Sequence, residues 1–456
     1  MREGRTAPGR SSGVAVFSWA LYDFANTIFS VGILTVYFPL WVSELSELEG
    51  FVVNAATAFS ALLVLICAPL LGAVADLRQR RVPYLIVLTL ICVGLTGAMG
   101  LLGLFGAGSV GPVGTLAVGV ALFVAADLTY QSALVFYNAL LPGVSAGRGM
   151  GRVSGYGIAL GYVGAIFALV TLGAVATGNV PVRQVVSSLL PGVPPEASSS
   201  DTFLFVAALY LIFSLPAFFF VPDVSLTGEA GGARTTVGGA YRAVISTLRG
   251  IRGYTGMGTF LLATLLYTDA ANTAVANMAL YGRVVFGMEA GEITTLLLFS
   301  TVFAIVGSFG FGYLSDRAGP KRALMAVLWI WLVSIVLVTL APGVWALFAA
   351  GPLVGVALGA TWTVSRPMLV ALSPPEKVGE FFGLFTFAGK VSAVLGPALT
   401  AALLYLLDDL DGLAYRISVG SLAIIMVGAI VLLARVPDAR AGQRPGAEGD
   451  ENGGAG

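Results

Sequence analysis

Asp23-Phe24-Ala25-Asn26-Thr27 and Asp269-Ala270-Ala271-Asn272-Thr273 are one word, D-x-A-N-T, written twice 246 residues apart. A second pair repeats at nearly the same offset. Gly72-Ala-Val-Ala-Asp76-Leu-Arg78-Gln-Arg80-Arg81 is answered 240 residues later by Gly312-Tyr-Leu-Ser-Asp316-Arg317-Ala-Gly319-Pro-Lys321-Arg322. Two words at one spacing point to an internal duplication. Both copies of the first word lie inside long apolar runs, and both copies of the second close one.

Those runs set the fold class. Of 456 residues, 57% are hydrophobic and 11% charged, against about 25% charged in an ordinary soluble domain. Mean hydropathy is +0.92, and runs of about 20 apolar residues are what a bilayer-spanning helix needs. The reading is an all-α membrane protein with twelve transmembrane helices in two six-helix halves. Spans are expected near 14–40, 51–75, 82–105, 112–139, 152–176 and 202–221, then near 255–281, 292–313, 322–341, 344–367, 380–406 and 413–435. A cytoplasmic N-tail (1–13), a Gly-rich polar linker (222–254) and a disordered C-tail (436–456) complete the expected organisation.

Basic residues orient the chain, because short cytoplasmic loops collect Lys and Arg. Twenty of the 24 fall in the two tails, the 2–3, 4–5, 8–9 and 10–11 connections or the linker, whereas Arg183, Arg283 and Arg416 fall on the opposite side and Lys390 falls inside span 11. Both termini are therefore expected in the cytoplasm. Met1 to Ser12 is polar and lacks the layout of a cleaved signal, so the first apolar run reads as a span. No organelle signal is legible, and a prokaryotic cell membrane is the expected location.

Several functions are disfavoured. The chain has no His, and its two Cys, Cys67 and Cys92, sit in apolar runs, so no zinc site, no His general base and no disulfide framework is expected. No phosphate-binding loop or other catalytic word is visible, hence no enzyme and no cofactor or metal. With 24 acidic residues balancing 24 basic ones, nothing attracts nucleic acid. A duplicated single chain with charges inside its helices suits alternating access better than a fixed pore. The expected partners are a small-molecule substrate, a proton and the lipid bilayer, and a monomer is expected.

More specific words extend the reading. The loop at 312–322 resembles the signature between helices 2 and 3, and 8 and 9, of the major facilitator superfamily. Trp19-Ala-Leu-Tyr22-Asp23-Phe24-Ala25-Asn26-Thr27 with Tyr37-Phe38-Pro39, Gly151-Arg-Val-Ser-Gly155-Tyr-Gly157-Ile-Ala-Leu-Gly161-Tyr162-Val-Gly164, and Ser365-Arg366-Pro367 with Gly379-Glu380-Phe381-Phe382-Gly383 resemble the vacuole-effluxer-like permeases of that superfamily. Its best understood members are autophagy-related exporters of amino acids from the fungal vacuole. The resemblance implies a major facilitator fold, a cavity lined by helices 1, 4, 7 and 10, and amino-acid export. A drug or other metabolite exporter, or a transport-inactive sensor of the same fold, are the alternatives. Leu77 and Gln79 depart from the loop signature, so a weaker gate is expected at Asp76 than at Asp316.

Ionisable residues within apolar runs mark the candidate site, since a charge at the bilayer centre costs at least about 2.5–3.5 kcal/mol. They are Asp23, Asp127, Asp269, Arg366 and Lys390. Helical spacing adds Asn26 to Asp23, Gln131 to Asp127 and Asn272 to Asp269 as polar stripes. These eight are the expected substrate-binding or proton-coupling residues, carboxylates meeting an ammonium and Arg366 or Lys390 meeting a carboxylate. The plainer reading is helix-to-helix bonding at about 1 kcal/mol each. Without His, Asp23 and Asp127 are the candidate proton carriers. Asp76, Arg80, Asp316, Arg317 and Arg322 are the expected gate, where a carboxylate can bond the N-terminus of a neighbouring helix in one access state only.

Overall fold

The computed structural model describes residues 11–78, 80–109, 111–180, 182–189, 198–223, 237–407, 410 and 412–438. Most of the N-tail and most of the C-tail lie outside the described residues. The described chain contains twelve long helices: α1 (Gly13–Leu45), α2 (Glu49–Arg78), α3 (Val82–Ser109), α4 (Gly111–Ala139), α5 (Met150–Ala176), α6 (Asp201–Phe220), α7 (Met257–Phe286), α8 (Ala290–Ala318), α9 (Pro320–Thr339), α10 (Val344–Leu372), α11 (Val378–Leu406) and α12 (Gly412–Arg435). Eleven of them are long and apolar enough to cross a membrane. The exception is α7, which at 30 residues has the length but carries Asp269, Asn272, Asn277 and Arg283 along it.

The duplication reappears in the packing. In the first half α1 packs on α5 and α6, α3 on α4 and α6, and α2 on α4; in the second, α7 packs on α11 and α12, α9 on α10 and α12, and α8 on α10. Adding six to each helix number converts one set into the other. The joints between the halves obey the same rule, α2 against α11 and α5 against α8. One half is centred on buried aromatic residues such as Trp19, Tyr22, Tyr137 and Tyr210, the other on Phe260, Tyr267, Trp331 and Phe381. Large apolar side chains such as Phe51, Ile66, Phe219 and Ile424 point outward, as an exterior facing hydrocarbon requires.

Local chemistry explains the irregular places. Ser12 caps α1, its hydroxyl accepting from the Ala15 N–H at 3.0 Å. Within α1, Ser30–Tyr37 opens into a π-helical stretch and the Phe38 N–H reaches back to Ile33 O. Pro39 follows directly and cannot donate to the carbonyl four residues before it, so the preceding turns widen and the helix runs on past residue 40. Gly319 adopts φ +95° between α8 and α9, a conformation that a side chain disfavours, and Pro320 then starts α9. The linker, expected to be a plain polar connection, contains the helix Val237–Arg249. Its Val244 packs with Leu70, Ala73 and Val74 of α2, so apolar contact orders what composition alone reads as loop.

Candidate functional site

Between the halves lies a cavity of about 490 Å³. The first half contributes Asp23, Asn26, Thr27 and Ser30 of α1, Tyr130, Gln131 and Asn138 of α4, and Tyr162 of α5; the second contributes Thr268 and Asn272 of α7, Trp362 and Arg366 of α10, and Thr386 and Lys390 of α11. Six of the eight candidate binding residues therefore meet at one cavity. Asp127 and Asp269 do not line it.

Asp23 and Arg366 form an ion pair across the halves, Nη1 to Oδ2 at 2.9 Å and Nη2 to Oδ1 at 3.4 Å. Both side chains are largely buried, 8% and 11% exposed. The guanidinium also lies 5.7 Å from the Trp19 ring centroid and 5.5 Å from that of Tyr137, two rings stacked at 4.5 Å. These contacts add cation–π attraction to the charge-assisted bonds. A Cβ on Gly157 would come within 2.6 Å of Asp23 Oδ2 and 2.8 Å of Trp19. Only a glycine lets α5 close over the pair.

Asp127 faces away from the cavity, accepting from Ser60 Oγ of α2 at 2.5 Å and from Gln131 Nε2 at 3.1 Å. Asp269 accepts from the Gly396 N–H of α11 at 2.6 Å, so its partner is backbone rather than a cation. Lys390 is half-buried and has no carboxylate at ion-pair distance among the described residues. Three residues that line the cavity each carry a buried polar atom without a hydrogen-bond partner among the described residues, namely Asn26 Nδ2, Asn138 Oδ1 and Thr268 Oγ1. Such groups are normally paired in a folded protein.

At one end of the bundle the halves touch backbone to backbone. Cβ atoms at Gly72, Gly151, Gly155 and Gly383 would run into Gly379, Gly312, Ser308 and Ala68 respectively. Two carboxylates seal this end in the same way. Asp76, at the end of α2, accepts from the N–H groups of Gly379 and Glu380 at the start of α11, at 2.8 and 2.7 Å. Asp316, at the end of α8, accepts from those of Gly151 and Arg152 at the start of α5, at 2.7 and 3.2 Å. Each satisfies orphan donors in the first turn of a helix in the other half.

The arginines differ from those singled out in the sequence. Arg81, not Arg80, bonds Asp76 at 3.2 Å. The Arg81 N–H is held by Asp223 at 2.8 Å and its Nη1 donates to Ala139 O at 2.9 Å, which turns the side chain inward, while Arg80 is exposed. The side chain bonded to Asp316 across the halves is Arg152, at 2.9 Å. Arg317 lies over the Tyr313 ring, and Arg322 approaches Asp438 at 3.7 Å. Asp76, expected to be the weaker gate residue, makes the same kinds of bond as Asp316 and is more buried, 7% against 16% exposed. Trp362 was absent from the sequence candidates although it precedes Arg366 by four residues, the spacing that places two side chains on one helix face.

A family model described as "Vacuole effluxer Atg22 like" matches residues 147–445. The uncharacterized MFS-type transporter YxiO of Bacillus subtilis is 25% identical over 92% of this chain and 94% of its own length. Autophagy-related protein 22-1 of Penicillium rubens is 22% identical over 55% of this chain and 44% of the fungal protein. Among solved structures, a bacterial homologue of the iron transporter ferroportin in an outward-facing state superimposes with a TM-score of 0.70, at 14% identity, over 93% of this chain and 99% of that one. The major facilitator transporter FucP in an outward conformation gives 0.69, at 15% identity, over 92% and 98%. These likenesses establish the major facilitator fold.

Proposed function

The chain belongs to the vacuole effluxer Atg22-like family, and from that premise we propose that it exports amino acids by alternating access through the cavity between its halves. It is a multi-pass membrane protein of major facilitator type, and its relatives and structural neighbours are transporters. The observation that carries the reading is the polar lining of one inter-half cavity, where Asp23, Asn26, Gln131, Asn272, Arg366 and Lys390 meet. Such a lining suits a polar solute, and a cavity between two rocking halves can face either side in turn.

In this reading α7 is the twelfth crossing, both termini are cytoplasmic, and the end sealed by Asp76 and Asp316 is the cytoplasmic gate, so the structure is the state open to the opposite side. Gate opening exchanges those cross-half bonds for hydration. The Asp23–Arg366 pair joins the halves deeper in the bundle, and in this reading Asp23 is the residue that couples transport to a proton. The prokaryotic relatives support a cell-membrane location.

The test is counterflow of a radiolabelled amino-acid panel in proteoliposomes, comparing wild type with Asp23→Asn. Saturable exchange of particular amino acids, lost in the variant, is the expected result. No exchange of any by monodisperse, folded wild type overturns the amino-acid assignment in favour of a drug or another metabolite. Transport indifferent to a pH gradient and to a protonophore removes the proton.

A further inference from the structure

The charges around the cavity do not cancel. Its lining holds one carboxylate, Asp23, and two strong cations, Arg366 and Lys390. Arg366 gives both of its cavity-side bonds to Asp23 and is flanked by Trp19 and Tyr137. Asp127 is bonded to Ser60 and Gln131, and Asp269 to the Gly396 N–H. Glu380, on the same helix as Lys390, lies ten residues away, about 15 Å along the axis, and approaches Lys377 at 3.7 Å. Lys390 is left as a cation without a counterion among the described residues, within a membrane bundle where ionisable groups are normally paired.

We infer that Lys390 is the anchor for an acid group of the transported solute, so that the cavity takes carboxylate-bearing solutes of zero or negative net charge and rejects net cations. The inference rests on the transport reading of this cavity and narrows it. Asn26 lines the same cavity. Its carbonyl oxygen is occupied by the Tyr210 hydroxyl at 3.1 Å, while its amide nitrogen is unpartnered and the residue is 3% exposed. A carboxylate held by Lys390 receives a charged donor. For an ammonium the remaining polar lining is neutral, including Gln131, Asn138, Thr268 and Asn272. The acid end of a zwitterion is thus bound by charge and its amino end by dipoles alone. A solute with an added positive group meets Lys390 with no free carboxylate to offset the repulsion.

Two measurements separate this inference from the reading beneath it. Counterflow with labelled L-leucine, L-glutamate and L-lysine is expected to show exchange of leucine or glutamate and at least tenfold less of lysine. Lys390→Gln lowers the favoured exchange at least tenfold, Lys390→Arg retains it, and Lys390→Glu shifts the preference towards lysine. Equal exchange of lysine, or full activity in Lys390→Gln, overturns the inference and leaves amino-acid transport standing.

If folded wild type exchanges none of the three, the amino-acid reading falls, and the anchor is judged by thermal melting in detergent. The probes are 4-methylpentanoate, which is leucine without its amine, and isoamylamine, which is leucine without its carboxylate. Stabilisation by the acid alone, abolished in Lys390→Gln but present in Lys390→Arg, supports the anchor. Stabilisation by the amine, by neither, or by the acid equally in Lys390→Gln, overturns it.

Discussion

Asp23 and Asp269 hold the same place in two copies of one word, on helices that pack in the same way within their halves, and both abut a glycine of the partner helix, Gly157 on α5 or Gly396 on α11. Their partners differ. Asp23 reaches across to Arg366 of the other half, whereas Asp269 accepts a backbone N–H within its own half. The cause lies on a third helix. On α10 the cavity side shows Trp362 and Arg366 one turn apart, and on α4 it shows Tyr130, Gln131, Leu134 and Asn138. A carboxylate takes the strongest donor within reach, and the second half is offered no cation. Duplication thus preserves a residue and its backbone setting, while its electrostatic role depends on what the opposite half presents.

The sharpest way to break this comparison is to remove one member of the cross-half pair. Asp23→Asn or Arg366→Gln leaves a buried, uncompensated group and is expected to cost about 3–5 kcal/mol, read as a large fall in melting temperature in detergent with loss of transport. The double variant recovers most of the stability. Single variants that melt like wild type would show that the pair is dispensable.

Next in size are the glycines. Gly157→Ala forces a methyl group against Asp23 and Trp19 and is expected to cost about 1–3 kcal/mol. Gly396→Ala, which meets Thr273 and Asp269, should match it in melting temperature while sparing the Asp23–Arg366 pair. Equal transport loss in the two variants would mean that helix approach, not the pair, limits activity.

The gate carboxylates come third. Asp76→Asn and Asp316→Asn each weaken charge-assisted bonds by about 1.5–3 kcal/mol, which shifts the balance between access states by about tenfold or more. Distances between spin labels on the ends of α2 and α11 should lengthen, more for the deeper Asp76 than for Asp316. An unchanged distance distribution removes both from the gate.

Asp269→Asn keeps an oxygen for the Gly396 N–H and is expected to cost only about 1 kcal/mol, with counterflow retained. Loss comparable to that of Asp23→Asn would restore the symmetry that the structure breaks. Smallest of all is Arg80→Ala, which at an exposed position should stay within about 0.5 kcal/mol of wild type. Arg81→Ala, which strips a buried partner from Asp76, should not.

Much of the architecture is legible in one dimension because hydrocarbon imposes simple rules. A membrane crossing needs a long apolar run, and eleven helices meet that test by length and composition; α7, expected from its run near 255–281, is diluted by Asp269, Asn272, Asn277 and Arg283. The α1 stripe of Asp23, Asn26, Thr27 and Ser30 is readable because it needs only helical periodicity. The orientation of Asp127 towards Ser60 is not, since periodicity names a face without saying which neighbour it meets.

By itself the sequence determined the helical class, the duplication, the polar stripe of α1 and which charges lie within apolar runs, because each depends on composition or on spacing within one segment. Only the tertiary structure decided which charges neutralise one another. It joined Asp23 to Arg366 across 343 residues, Asp316 to Arg152 and Asp76 to the start of α11, and it left Lys390 without an acid partner among the described residues. Electrostatic attraction falls with distance through space, not along the chain, so pairing is set by where folding brings the helices together.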